Sequence, residues 1–126
     1  MRYSRCGYTP YMTETVFWIL TVLSSESRHG YAILTSVGEL SEGAVALRVT
    51  TLYASLERLE RDGRIHVVGE EVVDGRARRY YDITDEGRTE LAAEAERLAQ
   101  RAAVAQASIA ARTPPARAAT VSTVTA

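Results

Sequence analysis

Hydrophobic residues recur at the spacing of a helix in three stretches of the first half of the chain. This three-to-four-residue spacing predicts helices over residues 13–25, 30–40 and 50–62, with residues 28–30 interrupting the pattern. Thr13 is the predicted N-cap of the first helix, and Gly63 ends the third, since glycine is common after a helix. The apolar positions are Val16, Phe17, Ile19, Leu20 and Leu23, then Ile33, Leu34, Val37 and Leu40, and finally Leu52, Leu56 and Leu59.

After Gly63 the apolar period changes to about two, which predicts two strands. Residues 65–72 and 77–83 flank Asp74-Gly75, a dipeptide typical of two-residue hairpin loops. With that loop, three cross-strand pairs are predicted: Glu71 with Arg78, Glu70 with Arg79, and Val68 with Tyr81. The face expected to pack on the helices carries Val68, Val72, Ala77, Tyr81 and Ile83.

A long fourth helix is predicted from Thr84 to about Ala111. Thr84 is a good N-cap, and Asp85 and Glu86 stand in the first turn, where acids interact favourably with the helix dipole. A heptad-type seam runs along this helix and consists of Leu91, Ala95, Leu98, Ala102, Ala105 and Ile109. So small a body cannot bury this seam, and a second copy of the chain is its expected partner. Residues 84–112 are therefore the predicted dimerisation helix, and the small, polar residues 113–126 a disordered tail.

The charge of the chain argues against a protein whose whole surface binds nucleic acid. The formal net charge is −1, although the arginines still allow a local basic patch. The single cysteine, Cys6, excludes an internal disulfide and suits the cytoplasm. The apolar run 16–23 is much too short for a membrane span, which needs about 20 residues. A cytoplasmic protein without a membrane partner is expected.

The order of elements predicts a mainly α fold with a β-hairpin. Three helices followed by a hairpin form a winged helix-turn-helix, here assigned to residues 1–83 as a DNA-binding domain. In this fold the third helix enters the major groove of double-stranded DNA, and the hairpin, or wing, reaches the backbone or the minor groove.

Three arginines beside the predicted turn are candidate DNA contacts. Arg78 and Arg79 could instead only pair with Glu71 and Glu70 across the hairpin. Exposed pairs of this kind are worth about 0–1 kcal/mol, which is too little to account for three arginines. Arg76 has no acid opposite it. We therefore expect Arg76, Arg78 and Arg79 to contact DNA.

Three motifs resemble the PadR family of bacterial transcriptional regulators over about residues 12–100. They are HGYAIL (29–34), TLYASLERLERDGRI (51–65) and GRARRYYDIT (75–84), the last followed by Gly87. The short C-terminal part resembles the subgroup in which one helix makes the dimer. The resemblance implies a homodimeric repressor, often of transporter or stress genes, that a small molecule or a stress signal releases from operator DNA.

The motifs contain further candidate DNA contacts. Tyr31, Thr51 and Tyr53 are expected at phosphates, although Tyr31 could be ordinary core and Tyr53 could pack on the wing. Arg58 could contact DNA or remain a solvated charge paired with nearby acids. Thr50 stands where this family commonly has glycine; it can cap the third helix, and its side chain could crowd or contact a phosphate.

Two aromatic residues of the first helix are candidates for ligand binding. Members of this family can bind flat aromatic ligands at the dimer centre. Phe17 and Trp18 are therefore either core and dimer contacts or the residues that stack on a small aromatic inducer.

The sequence contains no constellation that predicts an enzyme. It has no Ser-His-acid set, no glycine-rich phosphate loop and no Cys-His cluster, and His29 and His66 lack metal-ligand spacing. No cofactor or metal is expected. The main alternative to a DNA-binding repressor is a winged-helix module for protein–protein interaction, in which Glu70 and Glu71 cancel the charge of the wing.

Overall fold

The computed structural model describes residues 12–112, so Cys6 and the predicted tail (113–126) lie outside the described residues. The elements are α1 (Glu14–Ser25), β1 (Arg28–His29), α2 (Gly30–Leu40), α3 (Val49–Arg61), β2 (Ile65–Val73), β3 (Arg76–Ile83) and α4 (Asp85–Ala111). The chain divides into two compact units between Glu94 and Ala95, inside α4. Within the described part of the chain, no helix is long and apolar enough to cross a membrane.

The predicted helices are confirmed, with one error at a cap. The Thr13 hydroxyl oxygen accepts a hydrogen bond from the backbone N–H of Val16 at 3.2 Å, as expected of an N-cap. The cap predicted at Thr50 is wrong. Helix α3 begins at Val49, so Thr50 lies inside its first turn, and Arg48 occupies the N-cap position without a side-chain hydrogen bond.

Gly63 ends α3 as the sequence predicts. Its φ of +79° is in the left-handed region that glycine adopts without steric cost. The backbone N–H of Gly63 donates to the Glu60 carbonyl, and that of Arg64 donates to the Leu59 carbonyl at 2.9 Å. This pair of bonds satisfies carbonyls that a helix end otherwise leaves unpaired.

The core lies between the three N-terminal helices and the base of the hairpin. Its buried hydrophobic residues are Ile19, Leu20, Val22, Leu23, Ile33, Val37, Leu52, Leu56, Leu59, Ile65, Tyr81 and Ile83. Leu40 belongs to the apolar pattern, which predicts its burial, but this last residue of α2 is 53% exposed.

The hairpin belongs to a three-stranded antiparallel sheet in the order β1-β3-β2. The strand β1 comes from the residues that interrupt the helical pattern, and pairs Arg28 with Tyr81 and His29 with Tyr80. The turn is the expected one, with positive φ at both Asp74 (54°) and Gly75 (76°). A two-residue loop of this kind matches the twist of the strands that it joins.

The predicted register holds in the outer half of the hairpin only. Glu71 pairs with Arg78 and Glu70 with Arg79, as expected. The pairing of Val68 with Tyr81 is wrong, because a β-bulge at Val68 shifts the register and places Val67 opposite Tyr81. A bulge inserts one unpaired residue into one strand.

Of the five residues of the predicted packing face, only two are buried. Tyr81 and Ile83 are buried, but Val68 and Val72 are 48% and 73% exposed, and Ala77 is exposed as well. The bulge turns Val67 rather than Val68 towards the core, and the core ends near Tyr81. The outer half of the hairpin is therefore accessible on both faces.

Helix α4 begins at the predicted cap and is fixed to the end of α3. The Thr84 hydroxyl accepts from the Gly87 N–H at 3.0 Å and donates to the Gly63 carbonyl at 2.7 Å. The Arg64 guanidinium forms a bidentate pair with the Glu90 carboxylate, with Nε to Oε1 at 2.6 Å and Nη2 to Oε2 at 2.5 Å. The first turns of α4 thus belong to the same unit as the three-helix body.

Candidate nucleic-acid interface

The start of α2, the start of α3 and the tip of the hairpin surround one groove of about 650 Å³. The residues that line it are His29, Gly30, Tyr31, Tyr53, Val73, Asp74, Arg76, Ala77, Arg78, Arg79 and Tyr81. Tyr31, Tyr53, Arg76, Arg78 and Arg79 are all residues for which the sequence predicts DNA contact. The fold thus brings candidates from three motifs to one surface.

Of the three tyrosines that line the groove, Tyr31 and Tyr53 are exposed and come from different helices that meet at Gly30. Tyr31 is 68% exposed and Tyr53 48% exposed. The ring of Tyr53 lies over the first residue of α2: a Cβ added to Gly30 would be 2.8 Å from Tyr53 Cζ and 2.9 Å from Cε1. Glycine at this position therefore lets Tyr53 lie across the start of α2, a relation between two motifs that sequence reasoning missed.

His29 caps α2 at the edge of the groove. Its Nδ1 accepts a hydrogen bond from the backbone N–H of Ala32 at 3.3 Å, which requires this nitrogen to be unprotonated. Burial, and then the positive charge of Arg78, lower the pKa of His29, while Glu71 opposes them. The surroundings of His29 thus favour its neutral form, which is the form that can cap α2.

One face of the wing carries a hydrogen-bonded group of side chains. The Tyr80 hydroxyl donates to Glu71 Oε1 at 2.6 Å, and the Tyr80 ring meets the His29 ring edge-on with centroids 5.4 Å apart. The hydrogen bond to Glu71 is the largest cause of a raised pKa at Tyr80, and the neighbouring Arg78 acts in the opposite direction. Glu71, Tyr80 and Arg78 therefore interact as a group.

The other face of the wing carries a second group, and the tip carries a separate cation. Arg79 Nε lies 3.8 Å from Glu70 Oε2, and a hydrogen bond with Tyr81 is the largest cause of a raised pKa at Arg79. Arg76 is exposed opposite Val73 and makes no ion pair with another residue of 12–112. Within residues 12–112, Arg79 is thus the one wing arginine that makes an ion pair; Arg78 stands opposite Glu71 in the register without one, and Arg76 has no acid opposite it.

The remaining candidates on α3 lie outside the groove. Thr50 and Thr51 are exposed in the first turn, and Arg58 is exposed in the last turn. Thr51 and Arg58 are seven residues apart and so share one face of the helix. As a cation in the last turn, Arg58 also interacts favourably with the helix dipole.

The candidates for dimerisation and ligand binding are distributed over α4 and α1. Leu91 packs against the core of its own chain, whereas Ala95, Leu98, Ala102, Ala105 and Ile109 are exposed.

Phe17 and Trp18 are half-buried, and their rings meet edge-on with centroids 5.4 Å apart. The Trp18 Nε1 is buried without an acceptor among the described residues. Within 12–112, no group of three or more His, Cys, Asp or Glu side chains is placed to hold a metal ion.

The fold and this groove define a winged helix-turn-helix protein with a long C-terminal helix, as predicted. The chain belongs to the PadR-like family of transcriptional regulators, whose family model matches residues 19–93. This confirms the resemblance found in the motifs.

Two relatives match part of the chain. The transcriptional regulator Rv3488 of Mycobacterium tuberculosis is 46% identical over 65 residues, which cover 52% of this chain and 47% of that protein. An uncharacterized protein of Lysinibacillus sphaericus is 33% identical over 73 residues, 58% of this chain and 67% of the relative. The chain thus spans about half to two thirds of the length of these relatives.

Solved structures share the fold at lower sequence identity. A transcriptional regulator from Clostridium thermocellum has a TM-score of 0.62 at 26% identity, over 72% of this chain and 88% of that one. A PadR family transcription regulator from Clostridium difficile has a TM-score of 0.64 at 22% identity, over 77% and 99%. Bacillus subtilis PadR in complex with operator DNA has a TM-score of 0.54 at 23% identity, over 60% and 43%.

Proposed function

We propose that this chain is a homodimeric repressor that binds double-stranded operator DNA in the cytoplasm. The observation that carries the proposal is the groove, around which exposed Tyr31 and Tyr53 lie together with Arg76 and Arg78. Hydroxyls and guanidinium groups are the donors that proteins commonly direct at phosphate oxygens. The solved complex of Bacillus subtilis PadR with operator DNA gives further support.

In this proposal each element of the domain, residues 1–83, has its own role. Helix α3 enters the major groove with Thr50 and Thr51 at its leading end, and Arg58 contacts DNA farther along the same helix. Tyr31 and Tyr53 bind phosphates beside the start of α2, where the positive end of the helix dipole also attracts anions. Arg76, Arg78 and Arg79 bind phosphates along the wing.

The proposed dimer is formed by residues 84–112. The exposed seam of α4 is rich in alanine and carries Leu98 and Ile109, which are 38% and 73% exposed. Small side chains allow paired helices to approach closely, and burying the two larger ones removes apolar area from water. A symmetric dimer would also set the separation of two DNA half-sites, which lie about one helical turn apart in such complexes.

A chain that ends after Glu94 should be a monomer with little affinity for DNA. This end point keeps the Arg64–Glu90 pair and the packing of Leu91, so the remaining unit should still fold. Light scattering measures the mass of the shortened and full-length chains, and circular dichroism checks that the shortened one is folded. A stable dimer from the folded, shortened chain would contradict the assignment of the interface to α4.

A small aromatic inducer is proposed to release the repressor, with Phe17 and Trp18 as its binding residues. The support is the half-buried aromatic pair and the Trp18 Nε1, which has no acceptor within residues 12–112 and is a donor that a ligand acceptor could satisfy. Titration with planar cationic and phenolic compounds should quench the Trp18 fluorescence and weaken DNA binding together. If neither changes, an aromatic inducer at this site is excluded.

A second candidate function is a module for protein–protein interaction. The observation in its favour is that Glu71 and Glu70 engage Tyr80 and Arg79, so that the wing carries less net positive charge than its arginines suggest. The test is selection of genomic fragments by the purified full-length protein, followed by a mobility-shift assay with the selected DNA. Recovery of a common sequence supports the repressor, and no enrichment or shift favours the interaction module.

The approach of Tyr53 to Gly30 provides a test of the groove itself. We expect Gly30→Ala to lower affinity for the selected DNA about a hundredfold, since the new methyl group displaces Tyr53 and removes one hydrogen bond to a charged phosphate in each subunit of the dimer. Tyr53→Phe, which removes only the hydroxyl, should weaken binding by a similar factor. Gly38→Ala is the matched control on the same helix, since a Cβ there meets nothing within 4 Å. Unchanged binding by Gly30→Ala would remove Tyr53 from the interface.

A further inference from the structure

Two glutamates on β2 engage donors on both faces of the wing. Glu71 Oε1 accepts the Tyr80 hydroxyl hydrogen bond at 2.6 Å on one face. On the other face Glu70 Oε2 lies 3.8 Å from Arg79 Nε. The register places these glutamates opposite Arg78 and Arg79, respectively. Each face of the wing therefore has an acid beside its cation.

These contacts are poorly explained as supports of the fold. Glu70, Glu71 and Arg79 are all exposed, and the outer hairpin contributes nothing to the core. Exposed pairs of this kind contribute little to stability, because both partners remain solvated. The Asp74-Gly75 turn and the strand pairing already fix the hairpin.

A carboxylate and a DNA phosphate present the same kind of acceptor. Both offer anionic oxygens to hydroxyl and guanidinium donors, and both make short, charge-assisted hydrogen bonds. The Tyr80 hydroxyl has one proton and must give up Glu71 before it donates to a phosphate, whereas Arg79 keeps free N–H donors but has its charge partly neutralised by Glu70. The glutamate is then left near the phosphate as a like charge, which is unfavourable.

We propose that Glu70 and Glu71 compete with DNA phosphates for Arg79 and Tyr80, and so hold the affinity of the wing for DNA of any sequence below what its arginines would give. This inference rests on the proposed DNA-binding function. The effect is independent of sequence because the competing contacts are with phosphates, which carry no sequence information. Arg76, which stands opposite Val73 and not opposite an acid, keeps its full attraction for the DNA backbone.

The test compares charge-neutral variants of the full-length chain on a labelled DNA duplex of mixed sequence. We expect Glu71→Gln and Glu70→Gln each to raise affinity about three- to tenfold, and the double variant to raise it more, because a like charge near the phosphates is removed. The matched control is Glu39→Gln, which makes the same charge change near the other end of α2 from Tyr31. It should change affinity less than about twofold, since charges beyond about one Debye length are largely screened.

A double-mutant cycle separates direct competition from a general change of charge. If Glu70 acts through Arg79, then Glu70→Gln should raise affinity in the wild-type background and have little effect once Arg79 is alanine. Anisotropy titrations of the four proteins give the coupling. An equal rise of affinity in both backgrounds would overturn the competition between Glu70 and DNA for Arg79.

Thermal unfolding distinguishes the outcomes. A glutamine variant that binds DNA more tightly than the wild type, with an unchanged midpoint of thermal unfolding, supports the inference. Unchanged or lower affinity with a lowered midpoint would mean that the glutamates only stabilise the hairpin, which overturns it while leaving DNA binding by the wild type intact. If neither the wild type nor any glutamine variant binds the duplex or any selected fragment, the proposed function itself fails.

Discussion

Replacing Gly87 with alanine should cost about 3 kcal/mol of folding stability, near the upper end of the usual range for overpacked sites. Gly87 is buried in the first turn of α4, against the backbone that leaves α3. A Cβ there would collide with the Arg64 carbonyl oxygen, and would lie 3.1 Å from the Arg64 carbonyl carbon and 2.9 Å from Ile83 Cγ1. Two of these atoms belong to the main chain, so no side-chain rotation can relieve the clash. The start of α4 must move instead.

Urea denaturation at matched protein concentrations measures this destabilisation. The control is again Gly38→Ala, a glycine inside α2 with open space around its Cα. It should be more stable than the wild type by about 0.5–1 kcal/mol, because alanine loses less backbone entropy than glycine on forming a helix. Equal stability of the Gly87 variant and the wild type would show that the α4 start can shift freely, against the close packing described above.

The double change of Arg76 and Arg78 to alanine should weaken DNA binding at low salt by about four orders of magnitude or more. A hydrogen bond to a charged group contributes about 1.5–3 kcal/mol, and a symmetric dimer would lose two from each wing. Both side chains lie on the same face of β3, since side-chain direction alternates along a strand, and this face is opposite buried Tyr81 and Ile83. Folding and dimerisation should be unaffected.

The salt dependence of DNA binding shows whether the double variant loses affinity because its phosphate contacts are lost or for another reason. The slope of log affinity against log salt should flatten by roughly one unit for each phosphate that the variant no longer neutralises. Arg76→Lys with Arg78→Lys is the matched control, since lysine keeps the charge but not the forked geometry of arginine. This variant should keep most of the slope. An alanine variant with wild-type slope and affinity would mean that these arginines bind no phosphate, and would favour the interaction module.

The helices and the hairpin turn could be predicted because their signals are local. The apolar period of α1 to α3, the cap at Thr84 and the Asp74-Gly75 turn each lie within a few neighbouring residues. The bulge at Val68 and the strand β1 could not be predicted in this way. A two-residue strand has no period of its own and exists because β3 pairs with it. Similarly, the bulge is defined by the pairing of β2 with β3, so the sequence of β2 alone does not reveal it.

The residues of the candidate site were predictable in part, since Thr50, Thr51 and Arg58 lie outside the groove, and their arrangement was not predictable. Charge beside the turn and the two tyrosine motifs pointed to Arg76, Arg78, Tyr31 and Tyr53, which all line the groove. The approach of Tyr53 to Gly30 joins residues 23 positions apart in the sequence, and no local pattern encodes it. Sequence reasoning treated the glutamates as partners of Arg78 and Arg79, and the hydrogen bond from Tyr80 to Glu71 was not foreseen.

A single hydroxyl joins the end of one helix to the start of another. Thr84 Oγ1 bonds the Gly63 carbonyl, just after α3, and the Gly87 N–H, in the first turn of α4. Because Thr84 bonds both segments, a tilt of the first turn of α4 should also shift the end of α3. In a dimer joined through α4, a change in how the subunits pair would alter the distance between the two α3 helices. The separation of the two DNA half-sites that they could bind at the same time would change with it.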